Sequence, residues 1–191
     1  MAACRSPKPF VGVRVPRGCQ FSSLPQGSGL FLRLQFLVIN THIMIKEIDF
    51  ETILPIWRDK LWPGRVSAIE THSAMLHLFT EYDVGNFLLP VWYLGYYVDN
   101  ALIGVNSGHM CVDMSARSRG LWIMPEFRKK GYGKQLLMTT IEKAKECNAT
   151  SIWSYSRKTS WPTYESVGFI LTSEWNQSET SEANAYCYLE L

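Results

Sequence analysis

Acidic residues are missing from the first 43 positions of the chain. This segment has no Asp or Glu, and the first acidic residue is Glu47. It carries five basic residues, although the whole chain has a formal net charge of only +2: Arg5, Lys8, Arg14, Arg17 and Arg33. Such a composition is typical of a transit peptide, of a nucleic-acid-binding arm, or of upstream sequence read from a start codon placed too early. We favour the last, and expect residues 1–43 to be a poorly ordered N-terminal extension and residues 44–191 to form one domain.

Long hydrophobic runs are also missing. The longest apolar stretch, residues 30–39, is interrupted by Arg33 and Gln35. A membrane-spanning helix needs about 20 apolar residues, so this stretch is too short. No small-residue cleavage site follows it clearly, which argues against a secretory signal. The sequence therefore predicts no membrane association.

Paired cysteines and metal-binding spacings are absent. The five cysteines are scattered along the chain: Cys4, Cys19, Cys111, Cys147 and Cys187. An odd, scattered set indicates reduced thiols in a cytoplasmic protein. His72 and His77 are five residues apart and do not share a helical face as two metal ligands would. We expect no metal site.

The most informative stretch that is present is residues 127–137, FRKKGYGKQLL, between a short apolar run and an amphipathic helical pattern. Gly131 and Gly133 allow a tight turn and close approach to the backbone. The first N–H groups of the helix that follows form an anion site. Four cations surround the turn: Arg128, Lys129, Lys130 and Lys134. The pattern indicates a site for a polyanion such as a pyrophosphate, and the alternative is a solvated turn without a ligand. The spacing matches neither the Walker loop nor the dinucleotide fingerprint.

Periodicity and turn signals predict the other elements. Ser67 and Glu70 form a capping box, which predicts a helix over 67–79, and Asp99-Asn100 predicts a two-residue hairpin turn. We expect a loop around Arg117 and Arg119. The remaining elements are strands at 44–50, 88–98, 101–110, 120–124, 151–156, 169–175 and 185–191, and helices at 52–61, 133–147 and near 162. This order predicts a mixed α+β fold.

Two motifs carry a resemblance to a known family. The first is Arg128-x-x-Gly131-x-Gly133, which follows an apolar strand and a proline, and the second is residues 164–169, Tyr-Glu-Ser-Val-Gly-Phe. Together, and in this order, they resemble the acetyl-CoA motif and the Tyr-Glu-x-x-Gly-Phe signature of the GNAT superfamily of N-acetyltransferases. The resemblance covers about residues 44–191. It implies a central, mostly antiparallel sheet flanked by helices, with a splayed parallel strand pair that holds CoA.

The resemblance also implies roles for particular residues. The backbone of one splayed strand would bind the pantetheine arm of acetyl-CoA, the acyl-donor substrate, and the turn would bind its phosphates. Tyr164 would donate a hydrogen bond to the leaving CoA thiolate. The residues implied in cofactor binding are Leu121, Trp122, Ile123, Arg128, Lys129, Lys130, Gly131, Tyr132, Gly133 and Lys134.

The chain departs from the family at two places. Many members have a Glu as general base on the strand before the turn, where this chain has residues 117–120, and an Asn where it has Arg157. The sequence leaves open whether water or a side chain deprotonates the acceptor, the candidates being Glu81, Asp83, His109 and Asp113. Acceptor recognition in the superfamily lies in the first helices, which here offer Trp57, Arg58, Trp62, Arg65, Glu70, His72 and His77.

The sequence thus predicts a cytoplasmic N-acetyltransferase that moves acetyl from acetyl-CoA to a primary amine. Direct attack in a ternary complex is favoured because no activated Cys or Ser is evident. The alternatives are a non-catalytic acyl-CoA-binding regulatory module and, less favoured, nucleic-acid binding through the basic N-terminal segment. Whether the last two strands pair between subunits in a homodimer stays open.

Overall fold

A twisted mixed sheet organises the protein. The structure is a computed structural model, and it describes residues 42–78, 82–178 and 181–191. Eight strands of these residues form one sheet in the order β1-β2-β3-β4-β5-β8-β6, with β7 paired to β8. The strands are β1 (Ile43–Glu47), β2 (Val91–Val98), β3 (Ala101–Met110), β4 (Ser115–Ile123), β5 (Ser151–Arg157), β6 (Ile170–Leu171), β7 (Asn176–Ser178) and β8 (Ser181–Glu190). The predicted mixed, mostly antiparallel α+β fold is confirmed.

Three α-helices accompany the sheet in the described residues. They are α1 (Phe50–Ile56), α2 (Tyr132–Glu146) and α3 (Trp161–Glu165). One π-helical turn, Trp57–Leu61, continues α1, and 3-10 turns occupy Val84–Leu88 and Pro125–Phe127. None of the helices described is long and apolar enough to cross a membrane. The predictions for residues 1–41 lie outside the described residues.

The sheet is covered on both faces by apolar clusters. On one face α2 packs with Leu136, Leu137, Ile141 and Ala144 against residues such as Ile152. On the other face, α1 and the π-helical turn pack Ile53, Trp57 and Leu61 against Tyr93 and Val105. Full burial of one such side chain stabilises the fold by about 1.5–3 kcal/mol. The two clusters hold β4, in the middle of the sheet, from both sides.

The only parallel pair in this sheet, β4 and β5, separates along its length. The two strands pair at Ser115–Ser151, Ala116–Ile152 and Arg117–Trp153, and not beyond. β4 continues to Ile123 and β5 to Arg157 without a partner between them. The expected splayed pair is therefore confirmed.

The prediction of a helix over 67–79 is wrong for its described part, because residues 67–78 are irregular. Side chains from elsewhere bind its backbone carbonyls: Arg119 Nη1 donates to those of Glu70 and His72, and Tyr93 Oη donates to that of Thr71. Since these carbonyls are taken by tertiary partners, the local capping signal of Ser67 does not decide the structure.

Two further predictions need correction. The expected loop around Arg117 and Arg119 is part of strand β4, with both arginines buried. The chain tolerates them there because aromatic rings and carbonyl groups surround their guanidinium groups. The sequence predicts a closing strand at 185–191, but β8 begins at Ser181 and pairs with β5 over seven positions.

Candidate active site

A cavity of about 430 Å³ lies where β4 and β5 separate. Its walls come from the free edges of both strands, from α3 and from the chain after α1. Of the residues predicted to bind cofactor or act in catalysis, six line it: Leu121, Trp122, Ile123, Arg128, Gly133 and Tyr164. The other five, Lys129, Lys130, Gly131, Tyr132 and Lys134, lie in the turn at its end or in the first turn of α2.

A β-bulge shapes the β4 wall of this cavity. Ser107 of β3 pairs with Arg119, but Val105 pairs with Trp122, so β4 has one extra residue here. Gly120 has φ +78°, and its carbonyl oxygen accepts a 2.9 Å hydrogen bond from Trp57 Nε1. Bulges re-aim the backbone of a strand next to functional sites. On the β5 side the β4 backbone has no strand partner beyond Arg117, which leaves groups available to a ligand's amides.

The turn before α2 has the geometry of an anion site. Gly131 is the residue before the helix, with φ +83° and no side-chain cap. The first helical bond runs from Gln135 N to Gly131 O, 3.1 Å, so the preceding N–H groups have no intrahelical acceptor. A Cβ at Gly131 meets no heavy atom within 4 Å, which means that the space in front of the turn is open.

The charged residues of the turn are arranged around this space. Arg128, Lys129, Lys130 and Lys134 are exposed. Arg128 Nε donates to the Ile123 carbonyl, 2.9 Å, which fixes the guanidinium at the end of β4 and leaves its terminal nitrogens for an anion. Tyr132 differs, because its ring packs on Tyr96 at 4.9 Å between centroids. It offers only its backbone to the site.

Tyr164, in α3, also lines the cavity. It is 2% exposed, and its ring meets Phe169 edge-on at 5.2 Å. Ser154 Oγ donates to its hydroxyl at 3.2 Å, and Ser118 Oγ lies 3.5 Å from it. Burial raises the pKa of Tyr164 to about 12. The phenol is therefore protonated at neutral pH, and its O–H group can donate a hydrogen bond.

A polar chain positions Ser118 behind the phenol. Asn106 Nδ2 donates to Ser118 Oγ at 3.1 Å and to Thr140 Oγ1 at 2.8 Å, and all three side chains are buried. The chain links β3, β4 and α2. Sequence analysis did not single out Ser118, Ser154 or Asn106, since small polar residues in buried strands give no motif.

Comparison with known proteins identifies the fold and the family. Residues 56–169 match the model of the acetyltransferase (GNAT) family. The chain belongs to this family. No curated protein matches the chain significantly.

Solved structures show the same fold at low identity. Escherichia coli ElaA is 11% identical, with a TM-score of 0.56 over 78% of this chain and 99% of that chain. An acetyltransferase of the GNAT family from Staphylococcus aureus Mu50 is 14% identical, with a TM-score of 0.54 over 78% and 99%. A "putative streptothricin acetyltransferase from Bacillus anthracis str. Ames in complex with acetyl coenzyme A" is 17% identical, with a TM-score of 0.53 over 78% and 98%.

The cavity of this GNAT acetyltransferase has no free carboxylate among its described lining residues. Among the lining residues Glu182 is the one acidic residue, and Arg157 Nη1 holds its Oε2 at 3.4 Å. Arg157, which stands where many family members have Asn, also donates to the Leu61 carbonyl. It therefore ties β5 to the chain after α1 and to β8.

Three of the general-base candidates from the sequence, Asp83, His109 and Asp113, do not line the cavity. The fourth, Glu81, lies outside the described residues. Asp83 and Asp113 accept hydrogen bonds from nearby backbone N–H groups. His109 is 1% exposed, and burial lowers its pKa to about 3. A histidine that is so weak a base, and that is buried away from the cavity, cannot take a proton from an acceptor amine.

The residues expected to recognise the acceptor separate into three groups. Trp62 lines the cavity, whereas Trp57 is fully buried beneath it. Arg58, Arg65 and Glu70 are exposed. His72 is buried and His77 stacks on Trp153 and Tyr188; neither lines the cavity. The structure adds two lining residues for which the sequence predicts a loop, Arg117 and Arg119.

Proposed function

We propose that the protein transfers the acetyl group of acetyl-CoA to a primary amine by direct attack in a ternary complex. The observation that carries this proposal is the β4 edge over residues 118–123, which has no partner on the β5 side and lines the same cavity as Tyr164. The strand offers backbone groups and Tyr164 a hydrogen-bond donor, so a thioester between them is polarised on both sides.

Acetyl-CoA fits the site in one orientation. Its pyrophosphate binds at the N–H groups that open α2, assisted by Arg128, Lys129, Lys130 and Lys134, because the helix dipole and these cations favour a polyanion. Its pantetheine amides pair with the backbone of Leu121, Trp122 and Ile123. The Bacillus anthracis protein of the same fold is in complex with acetyl coenzyme A, which supports this assignment.

The transfer follows from these positions. The amine nitrogen attacks the thioester carbon, a C–N bond forms and the C–S bond breaks. A β4 backbone N–H stabilises the developing oxyanion, and the Tyr164 hydroxyl donates to the leaving sulfur. An alkyl amine has a pKa of about 10.4, so it loses one proton before attack and a second after it. The first goes to water and the second leaves on the CoA thiol.

Direct attack is favoured over an acyl-enzyme. Of the described cysteines, Cys111 and Cys187 are buried, and burial raises the pKa of each thiol to about 11. None of Cys111, Cys147 and Cys187 lines the cavity. Ser118 and Ser154 do, but no histidine lines it to activate them.

We also propose that residues 44–191 form the acetyltransferase domain and that residues 1–43 are an extension. The match at residues 56–169 and strand β1, which begins at Ile43, within one residue of this boundary, support it.

The experiment is calorimetric titration of the full chain with acetyl-CoA, followed by an amine panel assayed for release of free thiol. Micromolar binding with acceptor-dependent thiol release supports the proposal. Binding without release for every amine favours a regulatory acyl-CoA-binding module instead. No binding at all contradicts the assignment of both the turn and the cavity.

A further inference from the structure

Two arginines on one face of β4 are buried beside the cavity. Arg117 is 7% exposed and Arg119 is 8% exposed, and both line the cavity wall. They are two residues apart in the strand, so both side chains point toward the same face of the sheet, the one covered by α1. Buried arginines are rare unless they are paired.

Neither arginine has an acidic partner in the part of the chain that the structure describes. No carboxylate of residues 42–78, 82–178 or 181–191 lies within 4.0 Å of either guanidinium. Arg117 lies over the Trp153 ring at 4.7 Å and donates to Ser73 Oγ, while its Nε is buried without a hydrogen-bond partner. Burial lowers the pKa of Arg117 to about 10.

Arg119 uses only one of its nitrogens. Its Nη1 donates to the carbonyls of Glu70 and His72, at 2.7 and 3.0 Å. Its guanidinium lies over the Trp57 ring at 4.9 Å and the Trp62 ring at 5.3 Å. No described residue accepts from its Nε or Nη2. Burial and the nearby Arg117 charge lower its pKa to about 9.

The rest of the cavity adds to this positive charge. Lys60 and Arg128 also line it, and Glu182, the one acidic residue that lines it in the described part of the chain, is held by Arg157. A ligand whose only charge is an ammonium group gains no electrostatic stabilisation in such surroundings. A ligand that brings its own negative charge supplies the missing partner of the buried arginines.

The phosphates of acetyl-CoA are too far away to be that partner. Arg128, at the phosphate turn, is fixed on the Ile123 carbonyl. Arg119 lies four residues before Ile123, and a strand advances about 3.3 Å per residue, so roughly 13 Å separate the two positions. The β4 backbone that has no β5 partner, and that holds the thioester, begins at the residue before Arg119.

We propose that the acceptor is a primary amine with a carboxylate a few bonds from its nitrogen, and that Arg119 and Arg117 bind this carboxylate. The inference rests on the proposed function, since it names the acceptor of that reaction. A planar guanidinium binds a carboxylate through two parallel hydrogen bonds and so orients the amine at the thioester.

The test uses acceptors in matched pairs with the full chain: glycine with glycinamide, β-alanine with its amide, and L-alanine with its amide. Each pair keeps the amine and removes the carboxylate. We expect kcat/KM for thiol release to be about 10- to 100-fold higher for the preferred acid than for its amide. Arg119→Gln and Arg117→Gln should abolish this preference, mainly by raising KM, and Arg119→Lys should restore part of it.

Two controls separate recognition from folding. Lys145→Gln removes a cation that pairs with Glu142 on the exposed surface of α2, and it should keep the preference. Circular dichroism, urea unfolding and the Kd for acetyl-CoA report folding of the Arg119→Gln and Arg117→Gln proteins. Calorimetric titration of glycine, β-alanine and L-alanine into the CoA-saturated enzyme gives a readout that does not depend on turnover.

The outcomes are distinct. Transfer to amides as good as, or better than, transfer to the acids overturns this inference and leaves the proposed function intact. Failure to bind acetyl-CoA overturns the proposed function and, with it, this inference. Binding of acetyl-CoA without transfer to either series, and without acid binding by calorimetry, overturns the assignment of a carboxylate-bearing acceptor.

Discussion

The indole of Trp57 and the backbone of Gly120 hold each other in place beneath the cavity. Trp57 Nε1 donates a 2.9 Å hydrogen bond to the Gly120 carbonyl oxygen. Gly120 has φ +78°, and a Cβ at this position falls within 3.0 Å of the Trp57 ring. Trp57 is fully buried. The contact joins the turn after α1 to the bulge of β4, so it restrains the course of the strand that lines the cavity.

Gly120→Ala should therefore destabilise the protein. The added methyl group overlaps the Trp57 ring, and overpacking costs about 1–3 kcal/mol. A left-handed φ at a residue with a side chain adds about 1–2 kcal/mol. Urea unfolding of the full chain should show the free energy of unfolding reduced by about 2–5 kcal/mol.

Gly131→Ala is the matched control for this substitution. Gly131 has a similar φ, +83°, but open space around a Cβ. The free energy of unfolding of Gly131→Ala should fall only by the backbone cost of about 1–2 kcal/mol. Equal losses for the two variants would show that the Trp57 contact does not restrict position 120.

Tyr164→Phe should lower turnover without weakening donor binding. The hydroxyl lies in a buried site with Ser154 at 3.2 Å, and loss of one preorganised donor typically costs about 100-fold in kcat. Thiol-release assays should show this fall in kcat, and calorimetry should show an almost unchanged Kd for acetyl-CoA.

Tyr97→Phe is the control for the loss of a phenol. Tyr97 lies in β2, under the Lys46 ammonium and away from the cavity, and its substitution should leave kcat unchanged. A Tyr164→Phe protein with normal kcat, or with a large loss of acetyl-CoA affinity, would contradict the role assigned to Tyr164.

Gly131→Glu should abolish acetyl-CoA binding and leave the domain folded. The side chain at this position projects into the open space before α2, where a carboxylate repels the pyrophosphate and competes for the helix N–H groups. Calorimetry should detect no binding, while circular dichroism and urea unfolding should match Gly131→Ala. Normal binding by Gly131→Glu would mean that the phosphates bind elsewhere.

His109 should make the protein less stable in acid. Burial lowers its pKa to about 3, whereas a histidine in the unfolded chain titrates near ~6.5. Below that pH the unfolded chain takes up a proton that the folded protein does not, so the free energy of unfolding falls as pH falls from 6.5 toward 3. For His109 alone the loss between pH 7 and pH 5 is about 2 kcal/mol.

His109→Gln tests this pH dependence. The amide can still donate to the Met110 carbonyl, which His109 Nδ1 contacts at 3.0 Å, but it does not titrate. Urea unfolding at pH 7 and pH 5 should show a smaller loss in the variant, by about the same 2 kcal/mol. Burial also lowers the pKa of His72, whose ring centroid lies 5.4 Å from that of His109. The variant should therefore keep part of the acid sensitivity. Parallel pH curves for the two proteins would exclude His109 as a source.

The sequence predicted the elements whose signals are local. The hairpin at Asp99 and Asn100 has both residues at positive φ, as a two-residue turn requires. The helix expected at 133–147 is α2, because its apolar spacing and its glycine start agree with each other. The capping box at Ser67 predicted a helix that tertiary hydrogen bonds prevent.

By itself, the sequence determined the family, the order of most strands and helices, and the glycine turn before α2, since these depend on spacing, glycine conformation and charge within a few residues. The tertiary structure decided the rest of the site. It brings Ser118, Ser154 and Tyr164 together from separate elements, and it places Arg117 and Arg119 in the cavity wall instead of in a loop. Contacts between residues distant in sequence depend on how β4 and β5 separate, and no local pattern encodes that separation.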